Sequence, residues 1–379
     1  MNIEIKDVKG NYKEISVLCD KFRKAIFQNR IEDQEGPPYT ENYAKYIFGG
    51  LKYNIGAFYD NKLIGVIGAS SVNGKYNQKN IKISGLGRVA IDPDYWRKKS
   101  IKEELVDYLI EKIIDDKHDV IYAALLKKEE QDDIDFLNSR GFGLIKGRKN
   151  SEALIKIVGR EGLDLLKGAR KMNALEYNAA KLVAGLKKAD IERGKILDAT
   201  SDDYDQVIHL LNNFSKKYPL ARIWTKQEFV EMVNSVLDIS SWDYTKLREK
   251  YPNTPFGGFF KVWKEGNEVL GAQLYYVYEV RMEVDTVPLG FWIFSVFKDD
   301  ITSDEKKAFI STLIRSMKGG VAVVNAELPY YGNKDFDSAG FMGDQRPIAL
   351  LLKPLTDNVE GILEERIKNY YLDIIGYNI

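Results

Sequence analysis

The sequence predicts an α/β (α+β) protein made of two mixed-sheet units in tandem, joined by a helical connector. Three observations carry this. At 379 residues the chain exceeds what one hydrophobic core ordinarily organises, so two domains are expected. A strand-and-helix pattern that begins near Asn2 begins again at Ile196, after a helix-favouring stretch without strand signal. Two short matches also fall in the same order in both halves. Leu63-Ile64-Gly65 matches Val269-Leu270-Gly271, and Phe136 to Gly141-Phe142 matches Phe336 to Gly340-Phe341. The expected boundaries are 1–158 for the first unit, 159–194 for the connector, 195–355 for the second unit and 356–379 for a C-terminal helix and tail.

In the first unit, Asn2 to Val8 alternates as a strand, and Tyr12 to Phe27 puts Ile15, Leu18, Cys19, Phe22 and Ile26 on one helix face. Gly36-Pro37-Pro38 interrupts the chain, and Thr40 can cap a short helix through Phe48. Tyr53 to Tyr59 and Leu63 to Ala69 read as strands joined by the tight turn Asp60-Asn61-Lys62. A long strand from Ile81 to Ile91 reaches the turn Asp92-Pro93-Asp94, the basic loop Arg97-Lys98-Lys99 and a helix opening near Ser100. Ile101, Leu105, Leu109 and Ile113 give that helix one buried stripe. A buried strand over Val120 to Leu126, a helix over Gln131 to Ser139 and a strand over Ala153 to Val158 close the unit.

The second unit repeats the order. Strand Ile196 to Ala199 leads to a helix over Asp202 to Phe214, then to a helix capped by Thr225. A hairpin turns at Glu265-Gly266-Asn267 between Gly258 to Trp263 and Val269 to Val280. Strand Leu289 to Phe297, helix Ser303 to Met317, strand Val321 to Leu328 and a closing strand Ile348 to Leu352 follow. Asn358 to Tyr371 has the spacing of an amphipathic helix.

Composition narrows the function. Lysine plus arginine equals aspartate plus glutamate, 56 of each, so no global field recruits nucleic acid. One cysteine and two histidines leave no Cys/His zinc set, and no metal is expected. His118 lies in a charged turn and is expected at the surface, His209 at a packing position in a helix. No apolar run is long enough to span a bilayer and Met1-Asn2-Ile3-Glu4 begins no signal peptide, so a cytoplasmic protein without a membrane partner is expected.

The stretch from Ile81 to Leu109 holds the clearest chemistry. A strand that delivers its end to a helix N-terminus, with cations between, suits phosphate, because unpaired amides and the helix dipole point at the anion. The alternative is an ordinary connection with solvated lysines.

This order of elements, with Gly87-Arg88-Val89-Ala90-Ile91-Asp92-Pro93-Asp94-Tyr95 leading to Arg97, resembles the GNAT superfamily of N-acetyltransferases over nearly the whole chain. The resemblance implies two acetyltransferase-like domains and acetyl-CoA or another acyl-CoA as co-substrate. Its main-chain ligands would be Val89, Ala90 and Ile91, and its phosphate loop Arg97, Lys98, Lys99, Ser100, Ile101 and Lys102. Gly85 and Gly87 would suit the family's strand bulge or a close ligand. The loop departs from the family pattern, since Ser100 and Lys102 stand where small residues belong. The second unit departs further, with Asp299, Asp300, Asp304 and Glu305 around its equivalent loop.

The family reaction is direct acyl transfer from a thioester to an amine, here the amine of a small molecule or peptide. The acid for the leaving thiolate is commonly a tyrosine four residues before the Gly-Phe glycine, but Leu137 and Phe336 stand there. Substitutes are Tyr95, and Tyr330 or Tyr331 beyond the second unit's fifth strand; Glu129 and Glu327, at the ends of fifth strands, could act as bases. The competing reading is a non-catalytic binding or assembly protein that kept the fold and lost the CoA chemistry.

Overall fold

The computed structural model describes residues 3–29, 38–96, 98–126, 131–145, 153–168, 190–281, 285–327, 339–344, 348–364 and 370–371. The first half runs β1 (Glu4–Asp7), α1 (Tyr12–Asn29), α2 (Glu41–Gly49), β2 (Tyr53–Tyr59), β3 (Lys62–Ala69), β4 (Val72–Tyr76), β5 (Lys79–Ile91), α3 (Lys99–Asp115), β6 (Val120–Leu126), α4 (Gln131–Asn138), β7 (Gly143–Leu144), β8 (Ala153–Ile157) and α5 (Gly159–Gly168). The second half runs β9 (Lys195–Asp198), α6 (Tyr204–Ser215), β10 (Leu220–Arg222), α7 (Lys226–Asp238), α8 (Thr245–Lys250), β11 (Gly257–Glu265), β12 (Glu268–Arg281) and β13 (Thr286–Phe297), then α9 (Ser303–Ser316), β14 (Val323–Glu327), β15 (Met342–Asp344), β16 (Ile348–Pro354) and β17 (Tyr370–Tyr371). Among the described residues these form two mixed sheets, one of ten strands and one of seven.

Local chemistry accounts for the elements nearest the site. Asp60 and Asn61 take the left-handed conformation that a two-residue hairpin turn needs, at φ 48° and 62°. Thr40 accepts a hydrogen bond from the Tyr43 amide and so starts α2. The stripe Ile101, Leu105, Leu109 and Ile113 is fully buried and holds α3 on one face of the first sheet, against Ile55, Ile64 and Ile67. The opposite face carries α1 and α2, whose Ile15, Leu18, Ala44 and Phe48 share one core with residues of the second unit such as Tyr276 and Tyr278.

The closing strands are exchanged between the units. The sequence assigns Ala153 to Val158 to the first unit and Ile348 to Leu352 to the second. Instead β8 pairs antiparallel with β14, Val323 opposite Ile157, and β16 pairs antiparallel with β6, Leu350 opposite Ala124. The exchange is reciprocal down to single side chains. Lys353 of β16 donates to the Arg140 carbonyl beside Gly141, and Lys156 of β8 lies next to Gly340. Either strand can close either sheet, because both are short apolar runs.

Other expectations also need correction. The C-terminal helix does not form over its described part: Asp357–Val359 is a single 3-10 turn, and Gly361 at φ 79° ends it. Tyr370 and Tyr371 instead pair parallel with β10, which itself pairs with β4 of the first sheet. Of the connector, α5 is helical, 169–189 lie outside the described residues, and 190–194 are not helical.

His118 is buried rather than at the surface, and His209 is exposed. The Nδ1 of His118 faces the Ile113 carbonyl at 3.1 Å, so it carries the proton, and Nε2 accepts from the Ser71 hydroxyl at 2.9 Å. Burial, then the Lys82 charge, pushes its pKa down to about 4. The unfolded chain therefore takes up this proton first as pH falls. The stabilisation is complete above about pH 6.5 and is lost towards pH 4, by about 3 kcal/mol. Urea midpoints measured from pH 7 to pH 4 should fall accordingly, and His118→Asn should flatten that part of the profile.

Candidate active site

The first sheet opens where the long strand leaves its neighbour. β5 pairs parallel with β6 from Ile83 opposite Val120 to Leu86 opposite Ala123, and the ladder ends there. β6 runs on to Leu126 along β16, while β5 runs on to Ile91 along β3. Gly87 to Ile91 thus border a split between two strands. The β3–β5 register slips between Val66 and Gly68, so Arg88 and Val89 together face Ile67 as a bulge. The bulge falls beyond the two glycines that sequence reasoning singled out. Gly85 has another cause: a Cβ there would stand 2.5 Å from the Tyr122 ring.

Past Ile91 the chain makes the short turn Pro93–Tyr95 and enters α3. Lys98 is the N-cap, with no side-chain cap hydrogen bond, and the first turn of α3 contains no acid. The amides of an N-terminal turn without such a cap can receive an anion. Lys98 also lies over the Tyr95 ring, 5.4 Å from its centre, and Tyr95 packs edge-on against Tyr59.

The expected site residues divide accordingly. Ala90, Ile91 and Ile101 bury their side chains, leaving only main chain for a ligand. Val89 is half-buried, and Lys98 and Ser100 are exposed. Lys102 turns towards α4, paired with Asp133 and 5.8 Å from the centre of the Phe136 ring. The backbone of Lys99 opens α3 and that of Glu327 ends β14. Arg97, Glu129, Tyr330 and Tyr331 lie outside the described residues.

The second unit has the same split with a different rim. β13 and β14 part after Trp292 opposite Ala326, and the β12–β13 register slips so that Ile293 is bulged. Here the helix N-terminus is filled. Thr302 accepts from the Glu305 amide while the Glu305 carboxylate takes the Thr302 amide at 2.9 Å and its hydroxyl at 2.8 Å. Arg193 adds a hydrogen bond to Glu305 at 2.8 Å. The chain's own carboxylate thus occupies the N-cap amide of this helix, with Asp304 beside it in the first turn.

Two features escaped sequence reasoning. Asp92 gathers Lys21 and Lys62 at the end of β5, and pairs 71 and 30 residues apart leave no local signal. Glu279, near the end of β12, has its carboxyl raised by burial against a hydrogen bond to Thr286. Two residues on, Arg281 bonds Asp20 of α1 at 3.2 Å, so this end of β12 lies against the first unit. Among the described residues no group of three or more His, Cys, Asp or Glu could hold a metal ion, and no helix is long and apolar enough to cross a membrane.

A split mixed sheet with a bulged strand leading into a helix N-terminus, present twice, defines a tandem acetyltransferase-like fold. Residues 20–142, within the first unit, match the acetyltransferase (GNAT) family. It is similar to the N-myristoyltransferase of Saccharomyces cerevisiae solved with bound myristoyl-CoA. The TM-score is 0.63 at 14% identity, over 93% of this chain and 82% of that one. A conserved protein of Enterococcus faecalis V583, described as a probable N-acyltransferase, gives 0.53 at 12% identity, over 94% and 73%. At these identities the likeness is one of fold. No protein of curated function matches the sequence.

Proposed function

We propose that the protein is an acyl-CoA-dependent N-acyltransferase, holding acetyl-CoA or another acyl-CoA in its first unit and transferring the acyl group to the amine of a small molecule or peptide. One observation carries the reading: of two equivalent splits, only the first ends on a helix N-terminus without a side-chain cap, in a basic turn, while Glu305 fills the second. The pantetheine arm would lie along Gly87 to Ile91. The diphosphate would meet the cations from Arg97 to Lys99 and the main chain at Lys99 and Ser100, since the Lys98 and Ile101 amides already donate to the Tyr95 and Lys98 carbonyls at 2.9 and 3.1 Å. The second unit would form the far wall of the acceptor cleft.

The chemistry is direct transfer. A base takes a proton from the ammonium, the amine lone pair attacks the thioester carbonyl, the C–S bond breaks, and the thiolate takes a proton. Glu279 is one candidate for the base: Arg281, two residues on, bonds Asp20 of α1, whose neighbour Lys21 reaches the turn after β5, and burial raises the Glu279 carboxyl. Glu327, Glu129, Tyr95 and Tyr331 are the other candidates for the two proton transfers.

Acyl-CoA at a hundred times its Kd should raise the melting temperature by about 3 °C, since binding to the native state alone adds about 2.7 kcal/mol. Replacing Arg97, Lys98 and Lys99 with alanine should abolish the shift. Absence of a shift with any acyl-CoA contradicts the proposal. A full shift without turnover on any amine favours the non-catalytic reading, for which Leu137 and Phe336 speak by standing where the family's acid tyrosine belongs.

A further inference from the structure

The turn that would grip the diphosphate is fastened from behind by one carboxylate. The Asp92 side chain is 1% exposed. Its Oδ1 accepts from Lys21 Nζ at 2.5 Å and the Asp94 amide at 3.1 Å, and its Oδ2 from Lys62 Nζ at 2.9 Å. Its own amide donates to the Ile64 carbonyl at 2.8 Å, and its carbonyl accepts from the Tyr95 amide at 2.8 Å. Three elements therefore meet on this residue: α1 through Lys21, the β2–β3 hairpin through Lys62, and the turn itself. The next residue of α1 closes the same joint. Phe22 packs edge-on against Trp96 at 5.7 Å, and the Trp96 indole donates to the Ile91 carbonyl at 3.0 Å.

Burial alone would raise the Asp92 carboxyl. The hydrogen bonds from Lys21, Lys62 and the Asp94 amide outweigh it and hold the group below the usual carboxylate range. Lys21 also bonds the Asp94 carboxylate at 2.6 Å, so two lysines and two carboxylates balance at this joint.

The second unit supplies an internal comparison. Lys298 stands at the matching place, its amide bonded to the Leu270 carbonyl at 2.9 Å as that of Asp92 is to Ile64. Its ammonium pairs at 2.5 Å with Glu268, which precedes Val269-Leu270-Gly271 as Lys62 precedes Leu63-Ile64-Gly65. The hairpin-to-turn ion pair is thus kept in both units with the charges reversed. A structural fastening works with either polarity. The polarity with the carboxylate inside and lysines outside occurs in the unit whose helix N-terminus is uncapped.

We infer that Asp92, held by Lys21 and Lys62, is a positioning residue that sets the turn between β5 and α3 for the diphosphate of acyl-CoA. The inference rests on the first unit's being the cofactor site. Calorimetric titration of the full-length protein with CoA tests it. Asp92→Asn, which keeps shape and removes charge, should weaken CoA about tenfold, and Lys62→Gln about threefold. Lys298→Met breaks the matching pair in the other unit, so it should lower the melting temperature and leave CoA affinity within about twofold of wild type.

The inference is overturned if Asp92→Asn and Lys62→Gln bind CoA like wild type, or if Lys298→Met weakens CoA as much as they do. The latter would mean general loosening rather than positioning. If Asp92→Asn does not fold, Lys62→Gln decides alone, because its lysine side chain is 59% exposed and tolerates replacement. Wild type that binds no CoA removes the first-unit site itself, and this inference with it.

Discussion

A polypeptide that stops at Gly168 is expected to be insoluble or molten, because the other end of the chain completes the first sheet. β6 depends on β16 along its whole length, from Ile348 opposite Leu126 to Pro354 opposite Val120. Val120 and Ile121 on one strand and Leu351 and Leu352 on the other are fully buried. Removing β16 exposes an apolar edge strand with free amides and carbonyls, which templates aggregation. It also exposes β8, which has no partner left without β14. Co-expression with residues 190–379 should restore a soluble complex. Cooperative urea unfolding of the 1–168 fragment alone would show that the exchange is dispensable.

The second large effect is expected at Tyr43, where the two units share a core. Its ring stacks on Tyr278 of β12 at 5.7 Å and meets Trp242 edge-on at 6.5 Å, flanked by Tyr46 of α2 and by Tyr39, just before that helix. At 1% exposure it cannot be truncated without leaving a cavity. Tyr43→Ala should cost about 3–5 kcal/mol, the range for large aromatic side chains in cores. Urea denaturation should show the loss as a lower midpoint with an unchanged slope. A loss below about 1 kcal/mol would mean that the units hardly depend on each other.

What could be read from the chain was local or periodic. The apolar stripe of α3, the turn at Asp60-Asn61 and the duplicated Leu63-Ile64-Gly65 and Val269-Leu270-Gly271 segments each lie within a short window, and each is found. What failed depends on partners far away. Val72–Tyr76, with Asn73 and Gly74 inside it, has little strand signal and becomes β4 because β5 and β10 flank it. His118 reads as a surface residue from its charged neighbours but is turned inward by the Ile113 carbonyl. The apolar spacing of Asn358 to Tyr371 fits a helix, yet Gly361 and the pairing of Tyr370 with Leu220 override it.

At the site, the long strand, the turn after it and the start of α3 were legible, whereas the position of the bulge and the clasp around Asp92 were not. The difference between the two helix N-termini was half legible. The acids after Lys298 are visible in sequence as dipole-favouring residues. Their reciprocal bonds with Thr302, which close that end to an anion, are a matter of geometry.

The most direct measurement is hydrogen exchange of the full-length protein with and without saturating acyl-CoA. The account expects new protection at Gly87 to Ile91 and at Lys98 to Lys102, and none at Ile293 to Glu305. Protection that appears instead around Ile293 to Glu305, or at neither split, would contradict it.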